Sequence, residues 1–77
     1  MIDTNMRLRE LCKFFGISLT EACRKANVDT STVQKSKQRG SALTVPVIEE
    51  FCKVFGIMPE DFFASDFEVW KGKFSAV

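Results

Sequence analysis

The segment "SLTEACRKANVDTSTVQK", residues 18–35, is the most informative part of the chain for its fold, because it carries the start and end signals of two short helices. Ser18 and Glu21 have the spacing of a capping box, in which two side chains bind free backbone N–H groups at a helix start. A helix is therefore predicted over about 19–26. Asn27 tolerates the left-handed backbone that ends a helix, so this helix is predicted to stop there.

A short break, residues 27–29, separates this helix from the next one. Asp29 can cap a helix over about 30–38, and Gly40 can close it. A turn this short sets two helices at the steep angle of a helix-turn-helix. The apolar residues that are predicted to face inward and fix that angle are Ala22, Ala26, Val28 and Val33.

On either side of this pair the chain repeats a similar hexapeptide, "CKFFGI" at 12–17 and "CKVFGI" at 52–57. Each copy closes a run of apolar residues at three- and four-residue steps and contains a glycine followed by an isoleucine, which predicts a helix, its end and an apolar contact back onto it. The flanking sequences differ, which favours one helix terminator used twice over a duplicated unit. The predicted buried faces are Leu8, Leu11, Cys12 and Phe15 in the first helix, and Val45, Ile48, Phe51, Cys52 and Phe55 in the fourth.

The remaining signals complete an all-α fold. Thr44 can cap the fourth helix, Pro46 is tolerated in its first turn, and Pro59 opens a short fifth helix, "PEDFFA". We predict a compact five-helix bundle over residues 1–66. In the C-terminal tail, 67–77, "WKGKF" could form a marginal hairpin, and the aromatic residues there are expected to pack on the fifth helix or to form a dimer contact.

Size and composition limit the function. The 77 residues suit one domain, without an apolar run long enough to span a membrane and without a secretion signal, so we expect a cytoplasmic location. Three cysteines without C-x-x-C spacing, and no histidine, argue against a disulfide scaffold or a metal site. Each cysteine is expected to be a small buried apolar residue. Nothing assembles a nucleophile, a base and an oxyanion site, so we predict no enzyme and no cofactor.

Charge is distributed unevenly along the chain although the net charge is only +1. Residues 24–39 hold five basic side chains against one acidic side chain, a balance of +4, whereas residues 49–68 hold one basic against six acidic, a balance of −5. Solvated helix faces are the plain interpretation of such runs. The coincidence of the positive run with the helix-turn-helix favours a polyanion as the partner of that side.

The predicted third helix also carries side chains suited to reading DNA bases. Its first turn offers Thr30, Ser31 and Thr32, whose hydroxyl groups can donate to base edges or phosphates. One turn later, Gln34 and Lys35 are long enough to reach into the major groove. The end of this helix and the following loop are better placed for phosphate contact.

The chain resembles the DNA-binding domain of the Cro and phage-repressor family of bacterial and phage regulators. The matching frame is "LRELCKFFGISLTEACRKANVDTSTVQK", then "RGS", then "LTVPVIEEFCKVFGIMPEDFF", and it covers residues 8–63. The resemblance implies a five-helix bundle whose third helix lies in the major groove of double-stranded DNA. It also implies a homodimer on two half-sites roughly 34 Å apart. A chain this short leaves no room for a ligand-sensing domain, so no small-molecule ligand is expected.

Carried over position by position, the resemblance assigns roles to individual residues. The expected base contacts are Thr30, Ser31, Gln34 and Lys35; the expected phosphate contacts are Ser18, Thr20, Thr32, Lys37, Arg39 and Ser41; the expected dimer contacts are Phe62, Phe63 and Trp70. Leu19 stands where the family often has a phosphate-binding glutamine. Cys12 and Lys37 stand where many members have an arginine–glutamate pair, so both charges are absent together.

Two functions follow from these residues. The first is a sequence-specific DNA-binding regulator of transcription, acting as a repressor by occupying its site. The second is a protein-interaction module on the same fold, antirepressor-like or a small regulator, that does not bind an operator. The second function is motivated by Leu19, the low net charge and the apolar tail, whereas the positive helix-turn-helix favours the first.

Overall fold

The computed structural model describes residues 2–75, which form six α-helices joined by short turns and contain no strand. The helices are α1 (Thr4–Phe15), α2 (Leu19–Ala26), α3 (Thr30–Arg39), α4 (Val45–Phe55), α5 (Pro59–Phe62) and α6 (Phe67–Ser75). The all-α class and the positions of the first five helices are confirmed. None of the described helices is both long enough and apolar enough to cross a membrane.

Four of the helices end in the same way. The residue after each of α1 to α4 has a positive φ between 58° and 70°: Gly16, Asn27, Gly40 and Gly56. The next N–H donates to the carbonyl five residues back, as from Ile17 to Cys12 and from Ile57 to Cys52, both at 3.0 Å. This pattern satisfies carbonyls that the helix leaves free. The prediction of one terminator used twice is therefore confirmed, and the same geometry also ends α2 and α3.

The helix starts follow the predicted caps with two differences. The Ser18 hydroxyl accepts from the Glu21 N–H at 3.1 Å, and the Asp29 carboxylate accepts from the Ser31 N–H at 3.0 Å. The Glu21 carboxylate, however, accepts from a nearby arginine instead of completing a capping box. Thr44 precedes α4 at the N-cap position but makes no side-chain cap bond.

All six helices contribute buried apolar side chains to the core. Its largest fully buried side chains are Phe51, Phe62, Leu8, Leu11, Ile48 and Val33. The predicted inward positions on α2 and α3 are buried, with Val28 partly buried. The three cysteines are buried and free, as expected. Val45 is a correction, because 64% of its surface is exposed: it is the first residue of α4 and projects before that helix meets the core.

The C-terminal segment differs from the predicted tail, because Phe67–Ser75 forms α6 and "WKGKF" is helical instead of a hairpin. The indole N–H of Trp70 donates to the Asp61 carboxylate of α5 at 3.1 Å. On the α1 side, the ring of Phe14 lies 5.4 Å from that of Trp70 and 5.9 Å from that of Phe74. The segment thus packs on α5, as one prediction had it, and also on α1, which the sequence did not predict.

Candidate nucleic-acid interface

Helix α3 packs on α2 through one face and exposes the opposite face to solvent. Val33 is its only fully buried side chain among the described residues, and it packs into the core with Ala22 and Ala26 of α2. Gln34 and Lys35 follow Val33 and are exposed. No other part of residues 2–75 covers this outer side of α3, so it is open to a large partner.

The first turn of α3 carries the hydroxyl side chains. Thr30 and Ser31 are half-buried, and Thr32 is exposed. Hydrogen bonds from the backbone N–H and the hydroxyl of Ser31 lower the pKa of Asp29 below its ordinary value of 3.8, with a smaller contribution from the charge of Lys35. Asp29 is thus ionised at neutral pH and fixes the start of the helix.

The basic side chains of the positive run are not equivalent. The guanidinium of Arg24 donates to both carboxylate oxygens of Glu21, with Nε 3.1 Å from Oε2, and this hydrogen bonding lowers the pKa of Glu21. Lys35, Lys37 and Arg39 are exposed and form no ion pair with any residue of the described chain. Three of the four cations of this run without an ion pair in residues 2–75 therefore lie along α3 and at its C-terminal end, and the fourth, Lys25, lies near the end of α2.

The loop after α3 is held by hydrogen bonds from two directions. The Ser36 hydroxyl donates to the Ser41 carbonyl at 2.7 Å, and the side-chain amide of Asn5 donates to the same carbonyl at 3.1 Å. The backbone N–H of Leu43 donates to the Thr4 hydroxyl at 2.8 Å. The sequence pattern does not indicate Thr4 and Asn5 at this site, because buried polar residues at a helix start look like exposed ones in a pattern of apolar spacing.

The start of α2 presents Ser18 and Thr20 at the surface, whereas Leu19 is half-buried and packs against the core. Leu19 thus takes an apolar role where the resemblance implies a phosphate donor. Cys12 is buried in the core and Lys37 is exposed, so the absence of the arginine–glutamate pair leaves no buried charge at these positions.

The three residues expected at a dimer contact have very different exposure. Phe62 is fully buried and Trp70 is 8% exposed, because both close the core of the single chain. Phe63 is 44% exposed, with its ring 5.3 Å from that of Phe62. Of the three, Phe63 offers the largest apolar surface to a second chain.

The described residues contain no group of three or more side chains that could hold a metal ion. Burial raises the pKa of the Cys12 and Cys52 thiols to about 11, above their ordinary value of 9.0. Both thiols are therefore protonated at neutral pH.

A comparison with protein families matches residues 1–68 to the Cro/C1-type HTH DNA-binding domain. No curated protein and no solved structure matched the chain. The matched region contains α1 to α5 and the first two residues of α6, so most of α6 lies beyond it.

Proposed function

The chain belongs to the Cro/C1-type helix-turn-helix DNA-binding family, and on this premise we propose that it is a sequence-specific repressor that reads double-stranded DNA with α3. Members of this family are DNA-binding regulators and not enzymes. In the proposed mechanism the protein represses by occupying its site. Its action takes place in the cytoplasm, where bacterial or phage DNA is found.

The observation that carries the proposal is the open outer side of α3. Val33 anchors the helix, while Gln34 and Lys35 project into solvent beside two further cations without ion-pair partners in residues 2–75. An exposed helix with this geometry fits the major groove, which is wide enough to admit it. A covered helix, or one whose lysine were paired internally, would not support DNA reading.

The proposed contacts divide by chemistry. The amide of Gln34 suits adenine and the ammonium of Lys35 suits guanine, and the hydroxyls of Thr30 and Ser31 are the proposed contacts to the first base pairs. The proposed phosphate contacts lie at both ends of the reading helix: Ser18, Thr20, Thr32, Lys37, Arg39 and Ser41. Phosphate contacts position the protein on the duplex, and base contacts select the sequence.

We further propose that two copies bind together. A two-fold dimer would present two α3 helices to half-sites roughly 34 Å apart. Phe63 is the proposed centre of the contact because it is exposed and apolar next to α5. A single domain of this size contacts few phosphates, and a second copy would double that number.

The test is selection of a preferred duplex from a random pool, followed by binding measurements on selected and random duplexes. Lys35→Ala should weaken binding to the selected duplex by about 1–3 kcal/mol, and much less to random DNA. Arg39→Ala should weaken both alike and reduce the slope of log K against log salt by about 1. Lys53→Ala is the matched control, because this exposed lysine of α4 is paired with Glu50 and is outside the proposed interface. Its binding should equal that of the parent.

The outcome also decides between the two functions. Parent-like binding by both Lys35→Ala and Arg39→Ala would contradict the proposed interface. No binding of the parent to any duplex at low salt would favour the protein-interaction module. That alternative is supported by Leu19, whose side chain packs in the core and cannot donate to a phosphate.

A further inference from the structure

The start of α1 is joined to the loop after α3 by buried polar side chains. Thr4 and Asn5 are 5% and 6% exposed. The Asn5 amide donates to the Ser41 carbonyl at 3.1 Å and to the Ser36 hydroxyl at 3.4 Å, and Thr4 accepts from the Leu43 N–H at 2.8 Å. Two consecutive residues of α1 thus bind backbone groups on both sides of Ala42.

The Asn5 side chain is an unusual choice for a purely structural contact. Its Oδ1 atom is buried and has no hydrogen-bond partner within residues 2–75. A buried acceptor without a hydrogen-bond partner is destabilising, and an apolar side chain of similar size would contain no such acceptor. The two donated bonds are therefore the feature that asparagine supplies. One reaches Ser41 in the loop after α3, and the other reaches Ser36 within α3.

A ligand-binding role explains this arrangement less well. A concavity of about 340 Å³ lies beside these residues and is also lined by Lys37 and Asp3. The carboxylate of Asp3 opposes binding of an anion there, and the unpartnered Asn5 oxygen has no accessible surface with which to reach a ligand. Asn5 therefore acts on the loop and does not itself touch a partner.

We infer that Thr4 and Asn5 are positioning residues for phosphate binding: they hold the loop that follows Arg39 so that Arg39 and Ser41 meet the DNA backbone. This inference rests on the proposed function. The Ser41 carbonyl is bound from α1 by Asn5 and from α3 by Ser36, which fixes the loop relative to the reading helix. Without the α1 bonds, the loop would be held from one side only.

The experiment measures binding of the full chain to random and selected duplexes over a series of salt concentrations. Asn5→Ala should weaken binding to both duplexes by the same factor, about threefold to tenfold, and should reduce the salt slope by about 0.9, the value of one phosphate contact. Thr4→Val should act in the same direction. Met6→Ala is the matched control, because Met6 is 61% exposed in the same turn of α1. In a double-mutant cycle, Asn5→Ala should have a smaller effect when Arg39→Ala is already present.

Circular dichroism and thermal unfolding show whether each variant is folded under the binding conditions. If Asn5→Ala does not fold, Ser36→Ala serves instead, since it removes the bond to the Ser41 carbonyl from the α3 side. A folded variant with the parent's salt slope would overturn the inference and leave the proposed function standing. The inference would also be overturned if Asn5→Ala changed the preference for the selected duplex over random DNA. It would likewise be overturned if the effects of Asn5→Ala and Arg39→Ala on binding were fully additive. A parent that binds no duplex would overturn the proposed function and this inference with it.

Discussion

The guanidinium of Arg7 joins α1 to the C-terminal helices from inside the protein. Its side chain is 5% exposed, and Nη1 donates to the Phe62 carbonyl at the end of α5 at 2.7 Å. The guanidinium carbon lies 4.8 Å from the centre of the Phe67 ring in α6. Nε is 3.4 Å from a carboxylate oxygen of Glu10, which is partly exposed. The side chain of Arg7 therefore contacts α5 and α6 as well as its own helix, α1.

These contacts give the expected effect of Arg7→Met, which keeps the side chain long and apolar but removes the charge. Loss of a hydrogen bond from a charged donor costs about 1.5–3 kcal/mol, and loss of a partly desolvated cation–π contact costs about 0.5–2 kcal/mol. The partly exposed ion pair with Glu10 adds at most about 1 kcal/mol. Removing a buried charge also relieves its desolvation, which offsets part of the loss. We expect a net destabilisation of about 3 kcal/mol.

Urea unfolding measures this loss with two probes. Trp70 is the single tryptophan and its ring lies 5.3 Å from that of Phe67, so its fluorescence reports on the attachment of α6. Circular dichroism reports on all of the helices together. In Arg7→Met, the fluorescence midpoint should fall further than the circular dichroism midpoint, because α6 detaches first.

Arg9→Met is the matched control, because Arg9 is an exposed arginine on the same helix. It should change the unfolding free energy by less than about 0.5 kcal/mol. Equal, small effects of Arg7→Met and Arg9→Met would show that Arg7 does not join α1 to the C-terminal helices.

Two further predictions concern titratable groups. Asp29→Ala should lower the unfolding temperature at neutral pH, because it removes the cap of α3. The pKa of Asp29 is lowered in the folded state, so its ionised carboxylate stabilises the fold above its ordinary pKa of 3.8, and this stabilisation is lost in acid. The difference in unfolding temperature between the variant and the parent should therefore shrink as the pH falls below 3.8. An unchanged difference across this pH range would contradict the assigned cap. Between pH 9.0 and about 11 the thiols of Cys12 and Cys52 lose their protons in the unfolded protein before they do so in the folded protein. The free energy of unfolding should therefore fall by about 1–2 kcal/mol per thiol over that range. The total fall should be smaller in Cys52→Ala, which lacks one of the two thiols. A parent and a variant with the same alkaline slope would contradict this.

The helix ends could be predicted from the sequence because their causes are local. Gly16, Asn27, Gly40 and Gly56 adopt the left-handed geometry that their residue types permit, and each is bonded to its own helix. The start of α3 is likewise set by Asp29 through a bond that spans two residues. Such signals depend on the chain within one helical turn, so they are legible without knowledge of the tertiary structure.

The sixth helix and the buried polar residues could not be predicted because their causes are distant in sequence. Phe74 packs on Phe14, sixty positions earlier, and without that partner the residues of α6 show no clean apolar face. Arg7 binds the Phe62 carbonyl 55 positions away, and Asn5 binds the Ser41 carbonyl 36 positions away. A charged or amide side chain is read as exposed until its partner is known.

Helix α3, at the candidate interface, is polar on most of its surface and has one fully buried anchor, Val33. A short helix with so little apolar burial would be marginal alone, so its ends must supply much of its order. The Asp29 cap fixes its start, and the bonds to the Ser41 carbonyl fix its end. Because both devices lie outside the outer face of α3, that face keeps its side chains free of internal partners in the described chain. Substitutions on such a face need not disturb the fold, so the sequence preference proposed for it has to be measured by selection.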